Sequence, residues 1–333
     1  MIDAPNPLPE EFLRGIRLES VFMPFARRQR DALYNGGQKT SARFVHYTSA
    51  DAALSIIKSK RIWMRNTTCM SDYREVQHGF EMLHKFFADQ TQRSRLYATL
   101  DTIADNLAGE AVQLFDQWWT NIRFSTYIAS VSEHDDSEDL HGRLSMWRAF
   151  GGTPARVAFV FNVPWFTGAE NELNVMFSPV AYLQESEAHA QIGAVLQNVE
   201  REREFLRTVE RPTLVASVFN MLATGVTCLK HEGFREEREW RAIYSPDRLP
   251  SPLMESATEV IGGIPQIIHK LPLDVRKSEK LAALDMAAMF DRLIIGPSQF
   301  AWPMYEAFSG ALEAIGIADA KKRVRISGIP IRS

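Results

Sequence analysis

Arg43-Phe44-Val45-His46-Tyr47-Thr48-Ser49-Ala50-Asp51 is the stretch on which the fold turns. Arg43 to Tyr47 is short and rich in β-formers, which predicts a strand. Thr48-Ser49-Ala50-Asp51 resembles a capping box with Asp in place of Glu, so a helix should start at once. Ala53, Ile56 and Ile57 give that helix an apolar stripe to about Ser59. Arg61-Ile62-Trp63-Met64-Arg65-Asn66 reads as a second strand. Asp72-Tyr73-Arg74-Glu75 again carries helix-start chemistry, and Val76, Phe80, Leu83 and Phe87 then share one helical face. A strand, a helix, a strand and a helix from 43 to 88 point to an α+β fold.

Upstream, residues 1–8 form a Pro-rich arm, and Pro9 to about Asn35 predicts a helix broken at Pro24 and ended by Gly36-Gly37. Downstream, helix spacing predicts one helix over 92–120, and Arg123 to Val131 reads as a strand. An acidic loop, 133–142, leads into a helical turn at Ser145-Met146-Trp147-Arg148-Ala149-Phe150-Gly151, and Gly151-Gly152-Thr153-Pro154 reads as a turn. Strands are expected at 157–163, 176–183, 240–244, 260–271 (one or two, around Gly262-Gly263), 293–295 and 323–331. Helices are expected at 185–209, 212–230, 278–290 and 301–316. The expected organisation is an N-terminal helical arm, 1–42, and a single α+β domain, 43–333, with a helical insertion at about 184–232.

The 333 residues are 45% hydrophobic and 24% charged, which suits a packed core. The net charge of −3 gives no global field for nucleic acid, though it allows a local basic patch. Cys69 and Cys228 form no CxxC pair and read as reduced thiols. The N-terminal residues lack the basic-then-apolar pattern of a signal peptide, and no apolar run approaches the roughly 20 residues that span a bilayer. A cytoplasmic location without membrane contact is the expectation.

Three patches carry chemistry. His46, Tyr47 and Thr48 at a strand end can hold a sugar hydroxyl and a flat ring; the same string also fits a satisfied core histidine and a packing tyrosine. Ser145, Trp147 and Phe150 offer a hydroxyl and aromatic faces, or simply core, and Arg148 can pair with phosphate if it points inward. In Glu237-Arg238-Glu239-Trp240-Arg241, the first three residues precede the strand expected from Trp240. If they are extended, residues i and i+2 share a face, so Glu237 and Glu239 would point together with Arg238 opposite. Such a pair can stabilise an oxocarbenium-like cation and position a nucleophile; the alternative is a solvated charge run. The patches are expected to meet in one polar, aromatic-lined cleft. The acidic loop, with His134 and His141, matches no metal-binding spacing, so no metal is expected. No GxGxxG, Walker or GxSxG signature is present.

The order of these motifs resembles a mostly bacterial family known as domain of unknown function 2971. Its pattern of His-Tyr, a Trp strand, Asn-Asp-x-x-Glu, Met-Trp-x-x-Tyr-Gly, an apolar strand, Glu-x-Glu-Trp-Arg and Ile-x-x-Gly-Pro is matched here in order. The matching residues are His46-Tyr47, Trp63, Ser71-Asp72-Tyr73-Arg74-Glu75, Met146 to Gly151, Val157 to Phe161, Glu237 to Arg241 and Ile294-Ile295-Gly296-Pro297. Ser71 stands where Asn is usual and Phe150 where Tyr is usual, which would remove any chemistry of that tyrosine hydroxyl. More distantly the motif logic is similar to ADP-ribosyltransferases.

That likeness implies a split, mostly antiparallel sheet with flanking helices. It implies an NAD-consuming enzyme, of the kind found among bacterial toxins and phage-defence effectors. Glu239, Glu237 and His46 would be catalytic. NAD would be held by His46, Tyr47, Thr48, Trp63, Ser145, Trp147, Arg148, Phe150 and Arg241, and the acceptor would be a protein, a nucleic acid or water. The alternatives are a non-catalytic nucleotide- or partner-binding module and, third, a metal-dependent hydrolase or nuclease. Nothing in the sequence fixes the oligomeric state.

Overall fold

The computed structural model describes residues 9–69, 74–149, 155–165 and 170–330, with the side chains of residues 74, 75, 170 and 171 excepted. Ser71, Asp72 and Phe150 therefore lie outside the described residues, as does the turn expected at 151–154. The chain divides into two compact units. One takes its described residues from 1–32, 72–123 and 181–233, and the other from 33–71, 124–180 and 234–333.

The first unit is helical. Glu10–Phe22 and Pro24–Leu33 are separate helices, broken at Met23 because the residue before a proline is steered out of the helical region. Leu18, Val21 and Phe22 share a core with Phe86, Leu100, Val199 and Val218. The single helix expected over 92–120 is two, Gln90–Asp101 and Leu107–Phe124. Asn106 takes φ 53° between them, and the Asp101 carboxylate accepts the Ala108 amide at 3.1 Å, so the first helix's last residue caps the second. The helices Arg74–Ala88, Glu185–Arg201, Arg203–Arg207 and Arg211–Thr227 complete the unit, with a small parallel pair.

The second unit is built on a mixed, mostly antiparallel sheet, and the protein is α+β. In chain order the strands are β1 (Ser41–Ser49), β2 (Arg61–Asn66), β3 (Tyr127–Glu133), β4 (Arg156–Pro164), β5 (Val175–Pro179), β6 (Ala181–Tyr182), β7 (Leu229–Lys230), β8 (Glu239–Tyr244), β9 (Glu255–Ile261), β10 (Ile264–Pro272), β11 (Phe290–Ile295) and β12 (Val324–Ile326). The β6 and β7 strands are the small pair of the helical unit. The rest run β12-β11-β4-β1-β3-β2-β10-β9, with β8 between β3 and β5.

Both β1 and β2 pair with the same edge of β3. The β1 strand meets its end, through Phe44↔Glu133 and Val45↔Ser132, and β2 meets its start, through Arg65↔Ile128 and Asn66↔Tyr127. Between those contacts, at Ala129–Val131, the sheet splits. The helix Ala50–Ser59 joins the two diverging strands. Its Ala53, Ile56 and Ile57 share a core with Met64, Ala129, Phe159 and Leu293 on one face of the sheet. Each fully buried Ile, Leu, Met or Phe side chain there contributes roughly 1.5–3 kcal/mol.

Several expected boundaries move. The Leu107–Phe124 helix runs past 120, so β3 begins at Tyr127 rather than Arg123. The strand expected over 176–183 is divided at Val180 between the two units. The helix expected over 278–290 is a 3-10 segment, Glu279–Leu284, and one turn, Met286–Met289, separated by Asp285 in extended conformation; Phe290 already belongs to β11. Ser49, not Thr48, caps the Ala50–Ser59 helix, its Oγ accepting the Ala52 amide, while Thr48 stays in β1. Cys69 and Cys228 are free thiols. Among the described residues no helix is long and apolar enough to cross a membrane.

Candidate functional site

Strand alternation sorts the site residues onto two faces. Residues opposite each other in antiparallel pairs share a face, so Val45, Ser132 and Glu239 lie together. Tyr47, Ser130, Arg241 and, beyond the split on β2, Arg65 and Trp63 follow on that face. His46 and Thr48 fall on the opposite face. His46 therefore does not sit beside the Glu239 carboxylate. Its Nδ1–H donates to the Ser130 carbonyl at 2.9 Å, the backbone group bared where β1 leaves β3. That bond makes Nε2 the lone-pair nitrogen of the neutral ring, and burial lowers the pKa, which keeps the ring neutral near pH 7.

Glu239 is the floor of the split. It is 7% exposed, and Arg241 is 1% exposed. Its Oε1 accepts Ser130 Oγ–H at 2.5 Å and Arg241 Nε–H at 2.9 Å, and its Oε2 accepts Arg241 Nη2–H at 3.1 Å. A link thus runs from His46 through the backbone and side chain of Ser130 to Glu239. Glu237 lies outside the strand that carries Glu239 and Arg241. It closes a 3-10 segment, Glu232–Glu237, and Arg238 takes φ 43°, so β8 starts only at Glu239. The extended geometry expected to aim Glu237 and Glu239 together does not exist, because the left-handed residue turns the chain between them.

The second patch is the short helix Leu144–Ala149. Met146 and Trp147 pack on Val45, Tyr47, Ala158, Val160 and Ile294. Tyr47 and Trp147 meet edge to face at 4.8 Å between centroids, and Trp147 Nε1–H donates to the His141 carbonyl at 2.7 Å. Gly296 makes room for the indole: a Cβ there would stand 2.9 Å from two of its ring carbons. Trp147 is therefore buried scaffold. Ser145 and Arg148 reach outward. Trp63 pairs with Lys270 across β2 and β10, its ring 5.6 Å from Nζ.

Arg143, which stands in no motif of the sequence, ties the patches together. Its backbone N–H donates to the Tyr47 hydroxyl at 2.7 Å. Its guanidinium donates to the carbonyls of Glu236 (2.8 Å), Glu237 (3.0 Å) and Glu133 (2.8 Å), and to both oxygens of Glu138. The three patches do converge, then, but around an arginine that saturates backbone carbonyls. Burial tends to raise the Glu138 pKa. The hydrogen bonds from Arg143 and the Asp135 amide, with the charges of Arg143 and Arg238, outweigh it and hold the carboxyl below its ordinary value. Tyr47 is pushed up to about 12 by burial.

Beside this hub lies an open groove of about 750 Å³, lined by Arg143, Leu144, Ser145, Arg148, Arg235 and Arg238 with Glu138 and Glu236. Arginines outnumber carboxylates there by two. The acidic loop is a different matter. Asp136 and Asp139 bind Arg43, Asp139 also binds Arg292, and His134 Nε2–H donates to Asp139 at 2.9 Å. Asp136, Glu138 and Asp139 are engaged by arginines, and among the described residues no three His, Cys, Asp or Glu side chains form a group able to hold a metal ion.

The fold and site define an α+β protein with a split sheet and, at the split, a buried Glu-Arg pair joined by the half-buried Ser130. Residues 146–242 match the sequence model of the family described as "Protein of unknown function (DUF2971)", so the family resemblance read from the motifs is borne out over that stretch. The match takes in the Met146-Trp147 helix and Glu237 to Arg241. No curated protein and no solved structure matches the chain.

Proposed function

We propose that this protein is an NAD-consuming enzyme of ADP-ribosyltransferase type. One observation carries the reading: where β1 and β2 part along β3, a buried carboxylate, Glu239, is fixed by Ser130 and Arg241. When nicotinamide leaves, the C1–N bond breaks with its electron pair on the nicotinamide, and the ribose is left cationic at C1. A carboxylate held in place before the reaction stabilises that cation without reorganising. The acceptor, a protein, a nucleic acid or water, then bonds to C1 and gives up its proton. Arg148 and Arg235, at the groove beside the hub, are suited to the pyrophosphate. Trp63, half-buried on β2, shares Glu239's face beyond the split and offers a ring to the base, while the buried Tyr47 supports that face from β1. His46 acts as a positioning residue that holds Ser130.

A second reading, a nucleotide- or partner-binding module without catalysis, is favoured by one feature. Both Glu239 oxygens already accept hydrogen bonds from Arg241. Nicotinamide release from NAD, with cell lysate as acceptor source, separates the two. Release by the native protein, lost in a folded Glu239→Gln variant, supports the enzyme. No release from native protein of normal melting temperature overturns it and leaves the binding module.

A further inference from the structure

A second basic cavity lies at the far end of the sheet unit, independent of the reading above. It measures about 270 Å³ and is lined by Asn162, Phe290, Asp291, Arg292, Lys322, Arg323 and Arg325 with Ala287 and Ala288. Strand register explains the cluster. Ile294 on β11 pairs with Arg325 on β12, so Arg325 and Arg292, two residues before Ile294, project from adjacent strands on one face. Asn162, two residues beyond Val160, adds an amide from β4 to that face, because Val160 pairs with Arg292. A bulge at Asp291 brings its carboxylate to the rim.

The charges are unevenly matched. Asp291 is engaged by Arg43 at 2.6 Å and Arg292 at 3.2 Å, and Arg292 also reaches Asp139. Arg323 donates to the Phe290 carbonyl at 2.9 Å, which holds its guanidinium at the cavity, and Lys322 meets Asp319 on the surface at 3.0 Å. The lining therefore holds four cations and one carboxylate; Arg292 and Lys322 are ion-paired, Asp291 is itself neutralised, and Arg323 is held by a backbone carbonyl, with Arg325 beside it. Three of the four are guanidinium groups, whose paired N–H donors match phosphate oxygens. The cavity is too polar for an apolar ligand and small enough that one tetrahedral anion with its carrier would fill it.

We infer that this cavity is a phosphate-binding site, taking either a terminal phosphate or a phosphate of a nucleic-acid backbone. The test titrates the full chain with inorganic phosphate and with a short single-stranded oligonucleotide, carrying a 5′-phosphate or a 5′-hydroxyl. Binding is read by melting temperature for phosphate and by fluorescence anisotropy for the oligonucleotides. Arg325→Gln and Lys322→Gln are exposed substitutions at the cavity, and Lys58→Gln on the Ala50–Ser59 helix controls for general charge. Stabilisation by inorganic phosphate, and binding of the 5′-phosphorylated strand at least about tenfold tighter than the 5′-hydroxyl strand, assigns the site to terminal phosphates. Equal binding of both strands, weakened at least about fivefold by Arg325→Gln and untouched by Lys58→Gln, assigns it to backbone phosphates. Absence of binding by all three probes overturns the inference, as does binding that Arg325→Gln and Lys322→Gln leave unchanged.

Discussion

Glu239 and Arg241 show how two residues on one face of a strand create a strong local constraint. Both are buried, and each satisfies the other. Arg241→Met leaves Glu239 as an uncompensated buried charge and should cost about 3–5 kcal/mol, read from urea unfolding. The double substitution Glu239→Gln/Arg241→Met removes both charges and should recover more than half of that loss. A double variant no more stable than Arg241→Met would show that the pair is not the source of the cost. Tyr47 makes a prediction at the alkaline end. Its folded pKa is raised to about 12 from an ordinary 10. Its contribution is thus complete below pH 10 and lost as pH rises between about 10 and 12, because the unfolded tyrosine ionises first. That window should show a fall on the order of 2 kcal/mol, missing from Tyr47→Phe, with circular dichroism against urea as the measurement. At this scale the sequence was informative about identity and poor about direction. His46, Tyr47 and Glu239 do gather at the split, but strand parity puts His46 on the other face. The turn at Arg238 breaks the extended run between Glu237 and Glu239, and a run of alternating charges carries no sign of one left-handed residue. Arg143 was hidden for another reason: nothing in Gly142-Arg143-Leu144 announces a guanidinium that will bind three backbone carbonyls from two segments.

At the scale of elements, periodicity located most helices and strands because apolar spacing follows the buried face. It failed where side chains cap from a distance. Asp101 reaches over to the Ala108 amide, and the helical pattern through 102–106 continues although the helix does not. The segment before Phe290 failed similarly, with Asp285 capping a single turn. Two glycines make a paired prediction about helix packing. Gly79, in the Arg74–Ala88 helix, faces the Arg211–Thr227 helix so closely that a Cβ would stand 2.4 Å from the Val226 carbonyl oxygen. Gly193, in Glu185–Arg201, has open space around it. Gly79→Ala should force the helices apart and cost about 1–3 kcal/mol or more. Gly193→Ala should stabilise by up to about 1 kcal/mol through helix propensity alone. Thermal unfolding of the two variants checks both signs, and a neutral Gly79→Ala would mean that the crossing is not that close.

Over the whole molecule, the acid response follows from histidines rather than from net charge. Burial lowers the pKa of His46, His134 and His269, all in the sheet unit. For His134 the hydrogen bond to Asp139 opposes that shift without reversing it. Each of these groups binds its proton more readily in the unfolded chain. Their contributions are therefore complete above the unfolded value of 6.5 and fall as pH drops below it towards the folded values. Asp139 and Glu138, held low by arginines against the opposing effect of burial, add a further loss only as pH falls through the carboxylate range. Stability should thus decline in two stages, the first starting near pH 6.5, with a slope of at most about 1.4 kcal/mol per pH unit for each proton. His46→Asn can keep a donor for the Ser130 carbonyl while removing the titration, so it should flatten the first stage by about one proton without abolishing it. Urea midpoints measured at intervals from pH 8 to pH 4 decide the matter. A midpoint constant from pH 8 to 5 would mean that these rings are as accessible to protons folded as unfolded. The split in the sheet would then be open to water at His46, which would also weaken the case for Glu239 as a preorganised charge in a dry site.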